Sequence, residues 1–443
     1  MYIFIFELHF LNKPAHMKDY KRFLAEHKMR TEEINIHNMV DSFTSEMLNG
    51  LESNTSSLRM IPTYIEADNK FKVDLPVLAI DAGGTNFRAA LVKVSSSGKL
   101  EITNIINNKM PGLEGEISKE EFFNTIAHYV RPLAEKTDRI GFCFSYPSEI
   151  LPNKDGRLIY FSKEVQAPGV VGQLIGKNLL DALGMPEKQI VLLNDTVATL
   201  LAGKSASIGH DYDSFIGYIL GTGTNTCYIE NNPNILKNKS LDSSKSMIIN
   251  IESGNFSLAP RTDLDHQFDN ATSNPESHTF EKMISGGYFG PLCLLVLKTA
   301  AEEGVFTSDT ASGILALEEL SSEEVNMFMA DPTSARSTFS SFIKDTTDVE
   351  SCLNIVNCLL DRAALLVAGN LAAVILKTNK GKTKERPILV TVEGSFYYKL
   401  NNLRTQIDRY LRAYLSGDRE RFVEFMEVKQ SSLVGAALAV LIN

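Results

Sequence analysis

One carboxylate, two glycines, a threonine, an asparagine and an arginine fall between Asp81 and Arg88 in the stretch LAIDAGGTNFRAALVKV, Leu78–Val94. Backbone N–H groups hold an anion best where no side chain blocks their approach, which is what glycine allows. Gly83 and Gly84 give that access, Thr85 adds a hydroxyl, Asn86 an amide, and Arg88 a charged fork for phosphoryl oxygens. Asp81, at the end of an apolar run, suits a water of hydrated Mg2+, an ion that keeps its waters and takes few protein carboxylates. The stretch reads either as a cradle for a metal triphosphate or as a plain hairpin turn, since Gly-Gly, Asp and Asn also form turns well. A second turn, Gly221-Thr222-Gly223-Thr224, lies inside SFIGYILGTGTNTCYIE. Two such turns at corresponding places in two halves would clamp one phosphate chain from both sides.

A further carboxylate closes an apolar run in LLNDTVATL, where Asn194 and Asp195 precede Thr196, the expected start of a helix. Asp195 reads as a helix cap. It also reads as a general base at a strand end, taking the proton of a hydroxyl as that hydroxyl attacks phosphorus. Recognition of a sugar needs several planar donors and acceptors, and Asn225, Glu252 and Glu281 are candidates. A polyol gives buried carboxylates the partners they would otherwise lack.

The elements that must position these residues follow from periodicity. Residues 17 to about 60 have a helical pattern that ends before Pro62. Val77 to Val94 reads as two strands around a glycine turn, and EITNIINNKM from Glu101 continues the meander. Ser118 and Glu121 form the capping-box start of a helix over SKEEFFNTIAHYVRPLAEK. A strand at Arg139–Pro147, a helix from about Gly172 to Leu183, a strand at QIVLLND and a helix over TVATLLAG complete the first half. The plan then recurs: strand, glycine turn and strand over Ser214–Glu230, a long apolar helix around NIVNCLLDRAALLVAGNLAAVILK, and the strand PILVTVEGS. Residues 305 to 350 read as surface helices and loops, with a capped start at Ser321. Two halves with one plan imply a duplicated α/β unit with a cleft between the copies.

Bulk properties narrow the function classes. The 443 residues allow two or three domains, and 44% hydrophobic with 22% charged residues is an ordinary globular composition. A net charge of −10 argues against chain-wide attraction to nucleic acid or an anionic membrane, so phosphate binding has to be local. Cys143, Cys227, Cys293, Cys352 and Cys358 form no CxxC pair and read as free thiols in a reducing cytoplasm. The opening MYIFIFELHF contains Glu7 and lacks a basic start and a small-residue cleavage site; residues 1–16 read as a non-native or disordered tail.

Six ordered segments, AIDAGGTNFRAALV, GFCFSYP, LLNDTVATL, ILGTGTNTCYIE, NPESHTFEKMISGGYFG and TVEGSFYYK, resemble the hexokinase family of the actin-like ATPase superfamily, from about Pro62 to the C-terminus. The resemblance is to a single-unit enzyme of bacterial or protist type. It implies a duplicated, ribonuclease H-like α/β fold with two domains flanking a cleft. The smaller is expected over 77–210 plus 431–443, the larger over 17–76 plus 211–430. The implied activity is ATP-dependent phosphorylation of a hexose, glucose foremost, at its 6-hydroxyl, with Mg2+ and without nucleic-acid or membrane partners, as a monomer or homodimer. Carried onto matching positions, Asp195 is similar to the catalytic base, with Lys163 and Arg88 beside the transferring phosphoryl group. Ser145, Ser162, Lys163, Asn194, Asn225, Glu252 and Glu281 resemble sugar contacts. Asp81, Gly83, Gly84, Thr85, Asn86 and Arg88 resemble the first phosphate motif, Gly221, Thr222, Gly223 and Thr224 the second, and Gly394 with Ser395 the nucleotide site.

The chain departs from the family pattern at Glu164 and Val165, where Gly-Phe is common, at Ser253 and Asn255 beside Glu252, and at Glu393, where aspartate is common. A sugar sensor without catalysis would lose the base or a phosphate turn, and neither is lost here. An actin-like ATPase of chaperone type has no reason to keep Asn194-Asp195 beside Ser-Lys and paired glutamates.

Overall fold

The computed structural model describes residues 18–66, 69–96, 99–161, 165–207, 209–334 and 336–442. Its first half runs α1 (Tyr20–Glu26), α2 (Ile36–Glu52), β1 (Ile61–Pro62), β2 (Pro76–Gly83), β3 (Asn86–Val94), β4 (Leu100–Lys109), α3 (Lys119–Ala134), β5 (Arg139–Phe144), β6 (Ser148–Ile150), β7 (Gly156–Leu158), α4 (Ile175–Leu183), β8 (Gln189–Leu193) and α5 (Asp195–Ala206). The second continues through β9 (Ser214–Leu220), β10 (Thr224–Asn231), β11 (Ser246–Asn250), α6 (Asp263–Asn270), α7 (Thr279–Ile284), α8 (Gly286–Glu302), α9 (Ser308–Ala316), α10 (Ser322–Ala330), α11 (Thr346–Thr378), β12 (Ile388–Glu393), α12 (Ser395–Lys399), α13 (Leu403–Tyr414), β13 (Val423–Met426) and α14 (Ser431–Leu441).

The duplication is visible strand by strand. One sheet has the order β4-β3-β2-β5-β8 and the other β11-β10-β9-β12-β13, with β1 added at the β11 edge. In each, the first two pairings are antiparallel and the last two parallel. Val77 to Ile80 of β2 are all fully buried, as expected of a strand covered on both faces. α3 and α4 cover one face of the first sheet, with Phe122, Ile126, Leu179 and Leu183 packed on Ile140 and Phe142. The second half buries its own core around α2, α8, α11 and α13.

The helices that follow the last strand of each half change places. α14 packs on β2 and β5 of the first sheet, whereas α5 packs on β9 and β12 of the second. The two helices touch each other between the sheets. Three glycines make this approach possible. A Cβ at Gly435 would strike the Ala198 carbonyl, one at Gly141 the Ala436 carbonyl, and one at Gly217 the Thr196 carbonyl. Backbone is thus packed on backbone, an arrangement only glycine permits.

Three sequence expectations need amendment. The helical pattern over 17–60 divides into α1 and α2, because Lys28 takes a positive φ of 52° and the chain turns through Thr31–Glu33. The helix expected from Gly172 starts at Ile175, since Gly172 itself has φ +80°. Capping of α5 falls to Asn194, and Asp195 is its first helical residue. Ser118 and Ser321 cap their helices, each hydroxyl accepting the N–H three residues on; at Ser321 the Glu324 carboxylate returns the bond and closes a capping box, whereas at Ser118 the box expected with Glu121 is reduced to the serine cap. All five cysteines are unpaired, four of them buried. Among the described residues α11 alone is long and apolar enough to cross a membrane, and that apolar stretch is buried in the second core.

Candidate functional site

The β2–β3 register sets Asp81 opposite Arg88 and Gly83 opposite Asn86, so Gly84 and Thr85 make a two-residue turn. Gly84 has φ +63°, a conformation that favours glycine. Asp81 is buried and accepts from Arg88 Nε at 3.0 Å and from its Nη2 on the same oxygen, Oδ2. Beyond the end of β5, the Ser145 N–H donates to the Ala82 carbonyl at 3.1 Å, and the Tyr146 hydroxyl donates to the Gly84 carbonyl at 3.1 Å. A Cβ at Gly83 would sit 3.0 Å from Ser145 Oγ, so the turn has little room for a side chain there. Asp81, Gly83, Asn86, Arg88, Ser145 and Asp195 share the lining of one open cavity of about 460 Å³.

Asp195 enters that cavity from the first turn of α5, where a carboxylate is favoured by the helix dipole. Its Oδ1 lies 2.7 Å from the Thr196 nitrogen, which also donates to Asn194 Oδ1 at 2.9 Å. From Asn194 a chain of amides runs across the crevice into the second half. Asn225 Nδ2 donates to Asn194 Oδ1 at 3.4 Å and to Asn250 Oδ1 at 2.8 Å, and Asn250 Nδ2 donates to Glu252 Oε1 at 2.8 Å. The Asn225 carbonyl is fixed by the N–H groups of Thr226 and Ser253, at 2.7 and 3.2 Å. Glu252 has φ +59°, unusual for a residue with a side chain, and this conformation belongs to the turn that starts at the end of β11. Burial, with the Asp195 charge adding to it, raises the Glu252 carboxyl above its ordinary range against the lowering effect of Asn250. Tyr146, Ser148, Asn194, Asn250 and Glu252 line a second, smaller pocket beside the first.

The second glycine turn is docked on the start of α8. The Gly286 and Gly287 N–H groups donate to the Gly221 and Thr222 carbonyls at 2.8 and 2.9 Å, and the Gly221 N–H closes the turn onto the Gly223 carbonyl at 3.0 Å. The Thr224 N–H donates to Glu281 Oε2 at 2.8 Å. That leaves Thr222 and Gly223 to present the backbone donors of this turn. Gly394, with φ +131°, packs so closely on the strand end that a Cβ there would strike the Leu220 carbonyl. Ser395, exposed, begins α12 immediately after it.

Glu393 ties these parts together. Its Oε2 accepts from Thr199 Oγ1 at 3.2 Å and from the Ser431 hydroxyl, joining β12 to both exchanged helices. Thr199 in turn donates to the Asp195 carbonyl at 2.9 Å. Burial, then the charges of Asp195 and Asp81, lift the Glu393 carboxyl to about 7.

The structure therefore gathers Asp81, Gly83, Asn86, Arg88, Ser145 and Asp195 in one cavity, and joins Asn194, Asn225 and Glu252 through one amide chain. Glu281 reaches the second turn with its carboxylate, which accepts the Thr224 backbone N–H. Ser162 and Lys163 lie outside the described residues. Sequence reasoning missed Asn250, although an asparagine ending the apolar strand SMIIN two residues before Glu252 was a usable signal. It also missed Thr199 and Ser431, for which the sequence carries no local signal.

Two models of the hexokinase family match the chain, one over residues 20–205 and the other over 215–442. Hexokinase-1 of Schizosaccharomyces pombe is 30% identical over 428 residues, covering 91% of this chain and 86% of that protein. Hexokinase-3 of Oryza sativa subsp. japonica is 28% identical over 439 residues, covering 92% and 87%. Among solved structures, a hexokinase from Schistosoma mansoni complexed with glucose superposes with a TM-score of 0.77 at 22% identity, over 95% of this chain and 98% of that one. A further hexokinase crystal structure superposes with a TM-score of 0.79 at 24% identity, over 96% and 99%. These likenesses establish the duplicated actin-like fold.

Proposed function

The chain belongs to the hexokinase family, and on that premise we propose that it moves the terminal phosphoryl group of MgATP to the 6-hydroxyl of a hexose, with glucose as the preferred acceptor. The observation that carries this reading is the shared cavity. Asp195 stands in it opposite the Asp81–Arg88 turn, while the amide chain from Asn194 to Glu252 runs away from the same carboxylate into a smaller pocket. A phosphate chain on the first glycine turn and a sugar along the amide chain would meet at Asp195.

Phosphoryl transfer requires little covalent work from the protein, so the residues act by position and charge. The amides of Asn194, Asn225 and Asn250 and the carboxylate of Glu252 alternate donors and acceptors, the pattern a ring of hydroxyls can match. Asp195 takes the proton of the attacking hydroxyl. The glycine turns offer N–H groups to the phosphate oxygens, and Arg88, held by Asp81 in the ground state, is within the same cavity to meet charge that develops in transfer. The hard oxygen of Asp81, with open space beside it, fits hydrated Mg2+, which neutralises phosphate charge when bound. Closure of the two halves excludes water, a competing hydroxyl.

A coupled ADP-release assay across glucose, mannose, fructose, glucosamine and N-acetylglucosamine tests the reading. Sugar-dependent ADP release, with glucose highest in kcat/KM and mannose next, is expected. ADP release independent of every sugar would overturn it.

A further inference from the structure

Most of the contacts between the halves described so far lie on the floor of the crevice: α5 on α14, Asn194 with Asn225, and Glu393 with Thr199 and Ser431. A side-chain contact between the halves lies elsewhere. Tyr160, after β7 in the first half, brings its hydroxyl to 3.0 Å from Nε2 of His278, immediately before α7 in the second. Tyr160 is 40% exposed, which places the pair at the solvent edge. Phe161, next to Tyr160 in the chain, stacks on Tyr146, and Tyr146 shares a lining with Asn194, Asn250 and Glu252. Tyr160 thus stands beside the amide chain that the sugar reading uses.

Both partners are held from behind. Ile159 is fixed by its N–H to the Pro147 carbonyl at 2.9 Å, and Phe161 stacks edge-on against Tyr146 at 5.1 Å between ring centres. The loop that carries His278 is secured by a buried ion pair. Lys282 Nζ bonds Asp269 at 2.5 Å, Thr272 Oγ1 at 2.8 Å and the Asn274 carbonyl at 2.7 Å, and Asp269 accepts the Glu276 N–H at 2.9 Å. His278 itself has φ +53°, in the left-handed region.

We propose that the Tyr160–His278 hydrogen bond is a latch across the mouth of the sugar crevice, which opens to admit the hexose and re-forms over it. The inference rests on the sugar-site reading above and adds two positioning residues to it. The chemistry of the pair is consistent with that use. Burial, with Lys282 and Arg59 adding to it, lowers the His278 ring, and burial with Glu252 raises the Tyr160 hydroxyl. At neutral pH a neutral imidazole nitrogen therefore accepts from a tyrosine that keeps its proton. Such a bond is strong enough to favour closure and weak enough to break on each turnover, because a net hydrogen bond changes an equilibrium by only about three- to tenfold.

The test is a double-mutant cycle of Tyr160→Phe, His278→Asn and the pair, each measured for glucose affinity by calorimetry and for steady-state kinetics. Asparagine tolerates the positive φ, and phenylalanine removes a single oxygen. Each single variant is expected to weaken glucose binding and raise the glucose KM about three- to tenfold, with the ATP KM unchanged. The double variant is expected to be no worse than the weaker single variant. Unchanged glucose affinity in Tyr160→Phe, or effects that add across the pair, would overturn the latch. Wild-type protein that binds glucose yet releases no ADP would overturn the kinase reading and leave the latch judged by calorimetry alone.

Discussion

Replacing Glu393 by glutamine should stabilise the protein in base and not in acid. Burial, then the charges of Asp195 and Asp81, raise this carboxyl from an ordinary 4.5 to about 7. Each tenfold change in proton affinity is worth about 1.4 kcal/mol, so ionised Glu393 costs the folded state about 3 kcal/mol relative to the unfolded chain. The folded value lies above the unfolded one. Its favourable contribution is therefore complete below pH 4.5 and is lost as pH rises through about 7. Glutamine is neutral throughout and keeps an oxygen that can accept from Thr199 and Ser431. Urea unfolding of the nucleotide-free protein at about pH 4 and about pH 8.5 reads the difference. The variant should match the wild type at the lower pH and exceed it by about 3 kcal/mol at the higher. A gap of the same size at both values, or none at pH 8.5, would refute the account of three carboxylates crowding one crevice.

Gly435→Ala should lower the thermal midpoint, because its methyl group meets the Ala198 carbonyl and must part α14 from α5; overpacking of this kind costs about 1–3 kcal/mol, and an unchanged midpoint would contradict the described packing. His27→Gln tests a clasp at the other end of the molecule, where Nδ1 lies 2.7 Å from Asp263 and Nε2 2.9 Å from Glu303. Burial there lowers the imidazole, but the bonds to both carboxylates outweigh it and the net shift is upward from 6.5. The clasp therefore contributes fully below pH 6.5 and fades as pH climbs through the raised value. The variant should be less stable than wild type at about pH 6 and equal to it near pH 9, as read by paired melting curves; a deficit that grows with pH would reverse the assignment.

The legible parts of this molecule were those whose physics is local. Val77 to Val94 could be read as two strands around a glycine turn, and the two-residue turn at Gly84 and Thr85 sets the register that pairs Asp81 with Arg88. Asp195 could be placed because an apolar strand ended one residue before Asn194 and a helix followed. The repeat of strand, glycine turn and strand announced the duplication, although the exchange of α5 and α14 between the sheets depends on Gly141, Gly217 and Gly435, which look like unremarked glycines in strands and a helix. Long-range assembly hid the rest. Thr199, Glu393 and Ser431 are almost two hundred and then about forty positions apart, and only the closed fold brings them to one carboxylate oxygen. The division at Lys28 was hidden for another reason: a single residue in the left-handed region interrupts a helix without altering its pattern of apolar residues.

The central claim is that Asp195 accepts the proton of a sugar hydroxyl in the cavity it shares with the first glycine turn. Asp195→Asn keeps the size and most of the hydrogen bonding of that side chain but removes its basicity. General-base catalysis contributes about 10²- to 10⁴-fold, so kcat for glucose should fall by at least about 100-fold while calorimetry still detects glucose binding. Turnover within a few-fold of wild type would contradict the account.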